Sequence, residues 1–272
     1  MGPSISAFFP AYNDAATIAS MVINAVRTLE SLTENYEVIV VDDGSRDATP
    51  EVLEELKHLY PDRLRVETHP SNRGYGGALC MGIASATKEW IFYTDGDAQY
   101  DARELALLVR HAGPQVDVVN GYKIARADPL YRKMIGALYN IFVKAAFRIH
   151  IRDVDCDFRL MRRSCFENLE LKSNSGTICV EMIKKLQDAG SRFAEVPVHH
   201  FHRSVGRSQF FRPYWLLKTV LDLLNLWREL MWRRPAAPQV SSSAAPPDKA
   251  SDRKSTRLNS SHIQKSRMPS SA

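Results

Sequence analysis

The sequence has little cysteine and no long apolar run, and both shortages exclude classes of protein. Only four cysteines occur among the 272 residues, and none of them forms a CxxC pair. That number and spacing argue against a disulfide framework and favour reduced thiols in a cytosolic compartment. Because no run of about 18 uncharged apolar residues exists, we expect no transmembrane span. The first residues also lack the basic and apolar regions of a signal peptide, so we expect none.

Strong charge of one sign is missing from most of the chain. The net charge is +5, but residues 252–272 hold five Lys or Arg and a single Asp. The rest of the sequence is therefore close to neutral, which argues against a nucleic acid as partner. Residues 235–272 are small and polar, so we expect a disordered tail. Within it, residues 252–272 read as a translated sequencing adapter, so we assign them no function.

Two common nucleotide-binding signatures are missing as well. No GxGxxG follows the first predicted strand and no GxxxxGK[ST] occurs, which disfavours dinucleotide oxidoreduction and P-loop ATP hydrolysis. A different glycine-rich turn, residues 72–78 (NRGYGGA), leads into a predicted helix. Its backbone N–H groups suit a phosphate, and tight packing of a helix against a strand is an equally good interpretation.

What the sequence does contain is a buried strand that ends in two carboxylates. Residues 90–94 (WIFYT) are rich in β-formers, and Asp95 and Asp97 follow at once, separated by Gly96. In an open parallel α/β sheet, ligands bind outside the carboxyl ends of the strands. Two hard oxygen ligands at this edge suit Mg²⁺ or Mn²⁺ together with a substrate phosphate. The alternative is a solvated acidic turn.

Predicted strands alternate with helices through the first 120 residues. The strands are expected at residues 4–9, 37–41, 64–66, 90–94 and 116–120. Between them, apolar residues recur at helical spacing over 18–29, and Thr49 with Pro50 predicts a helix start with Thr49 as the cap. This alternation predicts an α/β fold with a doubly wound, mostly parallel sheet flanked by helices.

Four motifs, in their order along the chain, resemble family 2 glycosyltransferases. They are residues 10–14 (PAYND), 41–45 (VDDGS), 72–78 (NRGYGGA) and 95–99 (DGDAQ). The resemblance covers about residues 4–212 and is strongest to the dolichyl- and polyprenyl-phosphate mannose or glucose synthases. It implies a GT-A nucleotide-sugar-binding fold over residues 1–211, a nucleotide-sugar donor, Mg²⁺ or Mn²⁺, and inversion at the sugar carbon.

The resemblance also implies roles for single residues. The nucleotide-sugar contacts would be Pro10, Tyr12, Asp14, Asp42, Asp43, Gly74 and Asp95. The metal ligands would be Asp95, Asp97 and Gln99, with Asp97 also counted as catalytic. Gly96 stands where relatives more often carry Ala, a small change that keeps both carboxylates.

Basic residues are expected at the phosphate groups. A phosphate acceptor is already anionic at pH 7, so it needs positioning by cations more than deprotonation. Lys123 and Arg126 follow the fifth predicted strand, and Lys123 stands where relatives usually carry Arg. Residues 203–208 (RSVGRS) resemble the family's RxxGxS segment, which would place Arg203 and Ser208 at phosphates. Solvated basic loops are the alternative.

Asp157 lies in a second acidic cluster, residues 153–159 (DVDCDFR), which resembles an acceptor-side loop. With a hydroxyl acceptor, a carboxylate here serves as general base. With a phosphate acceptor, Asp157 would orient Arg159 or the donor sugar. A structural ion pair with Arg159 or Arg162 is equally consistent with the sequence.

Two segments, residues 130–150 and 214–232, combine wide apolar faces with polar stripes. The second stripe consists of Lys218, Asp222, Asn225 and Glu229 among leucines and tryptophans. Such faces are typical of amphipathic helices that lie on a membrane surface, and we assign residues 212–234 to one. Packing on the sheet, or self-association into a homo-oligomer, is the alternative.

Taken together, the sequence predicts a peripheral enzyme on the cytoplasmic face of a membrane. It would move a hexose from a nucleotide sugar, of the GDP-mannose or UDP-glucose class, to polyprenyl phosphate. A family 2 glycosyltransferase with a hydroxyl acceptor in a glycan or glycolipid is one alternative. A non-catalytic subunit that binds a sugar nucleotide is another, although the intact Asp97 and Gln99 favour an enzyme.

Overall fold

The computed structural model describes residues 2–124, 130–202 and 213–232. All of these residues belong to one unit, Met1–Arg234. The predicted boundary between residues 211 and 212 touches residues outside the described ranges and stays a prediction.

A mixed sheet of seven strands forms the centre of the described residues. The strands are β1 (Ile5–Ala11), β2 (Tyr36–Asp42), β3 (Leu64–Thr68), β4 (Trp90–Thr94), β5 (Val118–Ile124), β6 (Phe158–Arg162) and β7 (Phe193–His199). Their spatial order is β3-β2-β1-β4-β6-β5-β7. Strands β1 to β4 run parallel, as do β5 and β7, whereas β6 is antiparallel to both of its neighbours. The predicted mostly parallel α/β sheet is therefore confirmed.

Helices connect the strands and cover both faces of the sheet. They are α1 (Ile18–Leu32), α2 (Thr49–Leu59), α3 (Tyr75–Ser85), α4 (Leu105–Val109), α5 (Leu130–Phe147), α6 (Ile178–Asp188) and α7 (Pro213–Trp227). Short 3₁₀ turns lie at Ala102–Glu104 and Arg163–Phe166, and a π-helical turn, Arg228–Trp232, continues α7.

Alternation along each strand divides the core between two faces of the sheet. Phe8 and Ile39 pack on one face, and their chain neighbours Phe9 and Val40 pack on the other. Successive strand side chains point to opposite faces, so a strand buried on both faces must be apolar throughout. All five residues of β4 are buried in this way, which explains its unbroken apolar run.

Helix α1 confirms its predicted apolar face, because all six predicted positions are buried. They are Ile18, Met21, Val22, Ala25, Val26 and Leu29. The predicted start of α2 is displaced by one residue. Ala48 occupies the cap position and Thr49 lies inside the helix, where its Oγ1 accepts a hydrogen bond from the Asp14 amide at 2.9 Å. Thr49 therefore ties α2 to the loop after β1 instead of capping its own helix.

Helices α5 and α7 pack together on one side and present apolar side chains outward on the other. Val143 and Phe147 of α5 share a buried cluster with Leu223 and Leu226 of α7. The large apolar side chains that stay 45–65% exposed on these two helices are Met134, Ile135, Leu138, Ile141, Phe142, Leu217, Val220, Leu221 and Leu224. Among the described residues, no helix combines the length and the apolar character that crossing a membrane requires.

Candidate functional site

Three parallel strands end at one edge of the sheet and bring their polar termini together. Strand β1 lies between β2 and β4, with Ala11 opposite Asp42 and Phe8 opposite Tyr93. The segments that follow these strands therefore lie side by side, as expected for the ligand edge of a parallel sheet. This placement follows from the strand order alone and confirms the edge that the fold prediction implied.

A large cavity, of about 1240 Å³, opens at this edge. Seven of the predicted site residues line it: Pro10, Tyr12, Asp14, Asp43, Gly74, Asp95 and Asp97. Its lining also includes Tyr139, Asp155 and the loop Lys172–Thr177. From α7 and the turn that continues it come Lys218, Thr219, Asp222, Asn225, Leu226 and Glu229. The volume lies above the range that single small ligands usually occupy, about 300–1,000 Å³, so two small ligands have room together.

Asp95 and Asp97 are each held by a hydrogen bond, and Gly96 between them packs against the end of β1. The Asp95 Oδ1 accepts a hydrogen bond from the Tyr75 hydroxyl at 2.7 Å, and the Asp97 Oδ1 accepts one from the Gln99 amide at 3.1 Å. Between them, Gly96 packs so tightly that a Cβ atom there would lie 2.9 Å from the Pro10 carbonyl oxygen. The glycine thus allows a close approach of the two strand ends, with both carboxylates kept on the cavity.

The surroundings of Asp95 disfavour the charged form of its carboxyl group. Burial raises the pKa of Asp95 well above its usual range, and the nearby charges of Asp157 and Asp97 raise it further, while the Tyr75 hydrogen bond lowers it. Like charges close together in a partly dehydrated cleft repel each other. A bound cation would relieve that repulsion.

The described residues supply too few ligands to hold a divalent ion by themselves, so a substrate would have to supply the others. Within them, no three His, Cys, Asp or Glu side chains converge into a complete metal-binding group. Two carboxylates beside an open cavity are nevertheless the donor set with which Mg²⁺ commonly binds substrate phosphates. Gln99, the third predicted ligand, donates its amide Nε2 to the Phe201 carbonyl oxygen at 3.1 Å, and its part in metal binding stays a prediction.

The Asp42–Asp43 pair separates into two different environments. Asp42 lines a neighbouring cavity, of about 510 Å³, where its Oδ1 accepts a hydrogen bond from the Ser45 amide at 3.0 Å. The Asp43 carboxylate accepts hydrogen bonds from the amides of Arg73 and Gly74 at 2.8 and 2.9 Å. It also lies 2.6 Å from the His69 Nδ1, and both of these side chains are buried. Asp43 therefore holds the glycine-rich turn in place.

The glycine-rich turn packs tightly against another loop. A Cβ atom at Gly76 would lie 1.9 Å from the Ser173 carbonyl oxygen, and one at Gly74 would lie 2.4 Å from the Asn174 carbonyl oxygen. Gly74 also has a φ of +85°, a conformation that favours glycine. The Gly76 amide donates to the Asn174 carbonyl at 3.0 Å. These glycines therefore allow close packing, but against a loop and not against a strand as the sequence suggested. A nucleotide contact at Gly74 stays a prediction.

Asp157 is oriented by hydrogen bonds within the protein. Its Oδ1 accepts hydrogen bonds from the Tyr93 hydroxyl at 3.0 Å and the Cys179 thiol at 3.1 Å. The distance from the same oxygen to the Arg159 Nη1 is 4.0 Å, the outer limit of an ion pair. Arg159 is fully buried and instead donates to the Asn120 side chain at 2.6 Å and to the Tyr93 hydroxyl.

Lys123 is surrounded by carboxylates of the second acidic cluster. Its Nζ lies 3.8 Å from Asp153 and 3.9 Å from Asp155, and it donates to the Asp155 carbonyl oxygen. Burial alone lowers the pKa of Lys123, but Asp155 and Asp153 outweigh it and raise the pKa. Burial also raises the pKa of Asp155 to about 6, with Asp157 and Asp153 adding to it and Lys123 opposing it. The predicted residues Arg126, Arg203 and Ser208 lie outside the described residues.

Sequence reasoning missed two parts of the cavity wall. One is Tyr75, whose hydroxyl donates a hydrogen bond to Asp95. Its position inside the glycine-rich motif could have marked it as a site residue. The loop Lys172–Thr177 carried no motif at all. It is held by the buried carboxylate of Glu181, which accepts hydrogen bonds from the amides of Lys172 and Ser173 at 2.9 and 2.8 Å.

Known proteins match the chain at the level of sequence. Residues 6–170 match the family model described as glycosyl transferase family 2. Glycosyltransferase AglD of Haloferax volcanii is 35% identical over 206 residues, which are 72% of this chain and 33% of that protein. An undecaprenyl-phosphate 4-deoxy-4-formamido-L-arabinose transferase of Aeromonas hydrophila is 26% identical over 227 residues, 84% of this chain and 66% of that protein. The chain thus spans about a third of the first relative and just under two thirds of the second.

Solved structures match the fold. Glucosyl-3-phosphoglycerate synthase from Mycobacterium tuberculosis superposes with a TM-score of 0.64 at 19% identity, over 83% of this chain and 79% of the other. The mannosyltransferase PcManGT from Pyrobaculum calidifontis superposes with a TM-score of 0.61 at 23% identity, over 88% of this chain and 67% of the other. The first structure is a complex with Mn²⁺, UDP and phosphoglyceric acid, and the second is a complex with GDP-Man and Mn²⁺. At these identities the likeness shows the GT-A fold alone.

Proposed function

The chain belongs to glycosyl transferase family 2, and we propose that it transfers a hexose from a nucleotide sugar to a polyprenyl phosphate. The donor would be of the GDP-mannose or UDP-glucose class. The observation that carries the proposal is the cavity itself, which joins Asp95 and Asp97 to the Pro10–Tyr12 segment. The polyprenyl-phosphate acceptor is supported by the relative named as an undecaprenyl-phosphate transferase.

In this proposal the two ends of the donor have different partners. The nucleotide lies along the loop after β1, near Tyr12, Asp14 and Asp42, where carboxylates and main-chain groups offer hydrogen bonds to a base and a ribose. Asp95 and Asp97 would hold the Mg²⁺ or Mn²⁺. A divalent ion there supplies a Lewis acid that neutralises charge on the departing diphosphate. An oxygen of the acceptor phosphate attacks the sugar carbon, and the nucleoside diphosphate leaves from the opposite face.

The hydrogen bonds of Asp157 suit a positioning residue. Its Oδ1 accepts from the Tyr93 hydroxyl and the Cys179 thiol, so we assign Asp157 to orienting the groups around it. An anionic phosphate acceptor needs no general base. With a hydroxyl acceptor, the candidate base on the cavity is Asp155, whose pKa is raised to about 6 by burial.

The acceptor also accounts for the exposed apolar faces of α5 and α7. We place both helices at a membrane surface, with the enzyme peripheral on the cytoplasmic face. Basic residues such as Lys133 and Lys144 share α5 with the exposed Leu138 and Phe142, which suits an interfacial helix. A second copy of the chain, packed on the same apolar surface, is the competing occupant.

The test is transfer of radiolabelled sugar from GDP-mannose or UDP-glucose to polyprenyl phosphate in detergent, with Mn²⁺ or with EDTA. We expect metal-dependent label in the lipid phase. Asp97→Ala should lower turnover by about 10²–10³, the usual effect of losing one preorganised electrostatic group at a reacting centre. Asp62→Ala, in an exposed turn, is the matched control and should retain full activity.

Two outcomes would contradict the proposal at different points. Unchanged turnover in Asp97→Ala would remove the metal-site assignment. Label in a glycan or glycolipid hydroxyl product, and none in polyprenyl phosphate, would remove the acceptor assignment and leave the family 2 activity standing.

A further inference from the structure

Helix α7 has three distinct faces. Lys218, Asp222, Asn225 and Glu229 recur at intervals of three and four residues and so form one polar stripe. Leu223 and Leu226 are buried, while Leu217, Val220, Leu221 and Leu224 are exposed on a third side. An amphipathic helix on a membrane needs only two faces, so the polar stripe calls for a separate explanation.

Contacts on two sides fix the rotation of α7 about its axis. Leu223 and Leu226 pack against Val143 and Phe147 of α5. The Trp227 indole Nε1 donates to the Ala146 carbonyl oxygen at 3.0 Å. In the turn that follows, the Glu229 Oε1 lies 3.8 Å from the Lys172 Nζ. With the helix held in this way, its polar stripe faces the cavity that Asp95 and Asp97 line.

The stripe and the loop Lys172–Thr177 form the wall of the cavity that is separate from the nucleotide loop. The loop supplies Ser173, Asn174, Ser175 and Thr177, and the helix supplies Thr219, Asp222 and Asn225. Pro10, Ala11 and Tyr12 line the same cavity from the end of β1. If a nucleotide occupies the β1 end and its diphosphate lies at Asp95 and Asp97, the group beyond the diphosphate lies toward this wall.

The chemistry of the wall suits a neutral polyol better than a phosphate. Its two cations, Lys172 and Lys218, are balanced by Asp222 and Glu229, and the rest of its polar groups are hydroxyls and amides. Such a set offers many donors and acceptors without an excess of positive charge. Phosphate sites instead rely on Arg, Lys and backbone N–H groups that leave net positive potential.

The loop half of this wall is rigidly supported. The Glu181 carboxylate, which is 1% exposed, accepts hydrogen bonds from two loop amides and from the Lys185 Nζ at 2.6 Å. The loop backbone also rests on Gly74 and Gly76. A preorganised wall favours selective recognition, because little ordering free energy is spent on binding.

We propose that the polar stripe of α7 and the loop Lys172–Thr177 form the subsite that binds the hydroxyls of the transferred hexose. Asp222 and Asn225 would determine which sugar is accepted. This inference rests on the proposed function, because it requires a nucleotide-sugar donor. It adds a second role to α7, whose outer face contacts the membrane in that proposal.

The test compares the affinities of a nucleotide sugar and of its nucleoside diphosphate by calorimetry. GDP-mannose is measured against GDP, and UDP-glucose against UDP, with Mn²⁺ and the full chain. Asp222→Asn and Asn225→Ala should each weaken nucleotide-sugar binding by about five- to tenfold, the usual effect of one lost hydrogen bond. Binding of the nucleoside diphosphate should not change. Asn24→Ala, on the exposed side of α1, is the matched control and should change neither.

The outcomes separate this inference from the proposed function. Wild-type protein that binds neither nucleotide sugar would overturn both. If the wild type binds a nucleotide sugar and the variants alter both ligands equally, or neither, the sugar subsite is wrong and the proposed donor stands. A rise in the KM for polyprenyl phosphate without a change in donor binding would assign the stripe to the acceptor and also overturn the inference.

Discussion

At the scale of single residues, four carboxylates of this protein differ in what holds them. Asp43 and Asp157 each accept at least two hydrogen bonds from other segments of the chain. Asp95 and Asp97 are neighbours on the cavity, which Asp43 lines as well. The four look alike in the sequence, since each follows or precedes a strand and has another acid nearby. What separates them is the set of donors that the fold brings to each one. Asp43 holds the glycine-rich turn, Asp157 is held by Tyr93 and Cys179, and Asp95 and Asp97 lie where one ligand can reach both.

Asp117 allows a test of how such a carboxylate contributes to stability. Its oxygens accept hydrogen bonds from the Arg192 Nε at 2.9 Å, Nη2 at 3.0 Å and main-chain N at 2.9 Å. The side-chain hydrogen bond from Arg192 lowers the pKa of Asp117 below its usual value of 3.8, against the opposing effect of burial. A lowered folded-state pKa contributes stability above the unfolded pKa, and this contribution is lost as the pH falls through the folded value.

We therefore expect Asp117→Asn to reduce the free energy of unfolding at pH 7. Its unfolding should also depend less on pH than that of the wild type below about pH 4. Urea denaturation at several pH values measures both effects. Asp62→Asn, at an exposed position, should leave the curve unchanged. Parallel loss of stability with acid in wild type and Asp117→Asn would show that this ion pair contributes nothing.

At the scale of elements, the glycine-rich turn is the surface on which the Lys172–Thr177 loop packs. Residues 72–76 lead from β3 into α3, and the carbonyls of Ser173 and Asn174 lie where side chains at Gly76 and Gly74 would be. Tyr75, between these two glycines, holds Asp95. The glycine-rich turn therefore links the position of the Lys172–Thr177 loop to that of Asp95, a predicted metal ligand.

Gly76→Ala should disturb both parts at once. Its Cβ would lie 1.9 Å from the Ser173 carbonyl, so the loop must shift. Overpacking of this kind costs about 1–3 kcal/mol. We expect a lower melting temperature and weaker nucleotide-sugar binding, measured by calorimetry. Gly113→Ala is the matched control, because no atom lies within 4 Å of its Cβ position. Equal melting temperatures for the two variants would contradict the packing argument.

At the scale of the whole molecule, the apolar surface of α5 and α7 lies beside the cavity that Asp95 and Asp97 line. The buried sides of these helices form one cluster with Ile183 of α6 and Ile151, so the pair is anchored to the domain. Their outer sides keep large apolar residues exposed. A large exposed apolar patch marks an interaction site. A lipid acceptor and a membrane surface would both be served by this position.

The double variants Leu138→Ser/Phe142→Ser and Leu221→Ser/Leu224→Ser should each weaken binding to vesicles. Burying one such side chain contributes about 1.5–3 kcal/mol, so two exposed positions that become only partly buried should lower the partition coefficient about tenfold or more. Flotation with phospholipid vesicles measures the effect. Leu59→Ser, at a 61% exposed residue of α2, is the control. Unchanged flotation together with a shift from dimer to monomer would identify a homo-oligomer interface instead.

The sequence alone was enough to predict the class of fold and the family. The apolar spacing of α1 and the unbroken run of β4 are local features, and both are confirmed. The Asp95–Asp97 pair lines the cavity at the predicted edge of the sheet, and its part in ligand binding stays a prediction. The family resemblance, confirmed over residues 6–170, rests on short motifs of the same kind. Local patterns suffice here because the periodicity of a helix or strand is decided by neighbours in the chain.

The contacts between distant segments around the cavity could be seen only in the tertiary structure. Three of these contacts join residues far apart in sequence. Antiparallel β6 lies between β4 and β5, and His69 contacts Asp43. The Lys172–Thr177 loop packs on Gly74 and Gly76. The polar stripe of α7 was visible in the sequence, but the surface that it faces was not. A stripe of polar side chains has the same periodicity whether it faces water or a ligand cavity, and only packing against α5 sets its direction.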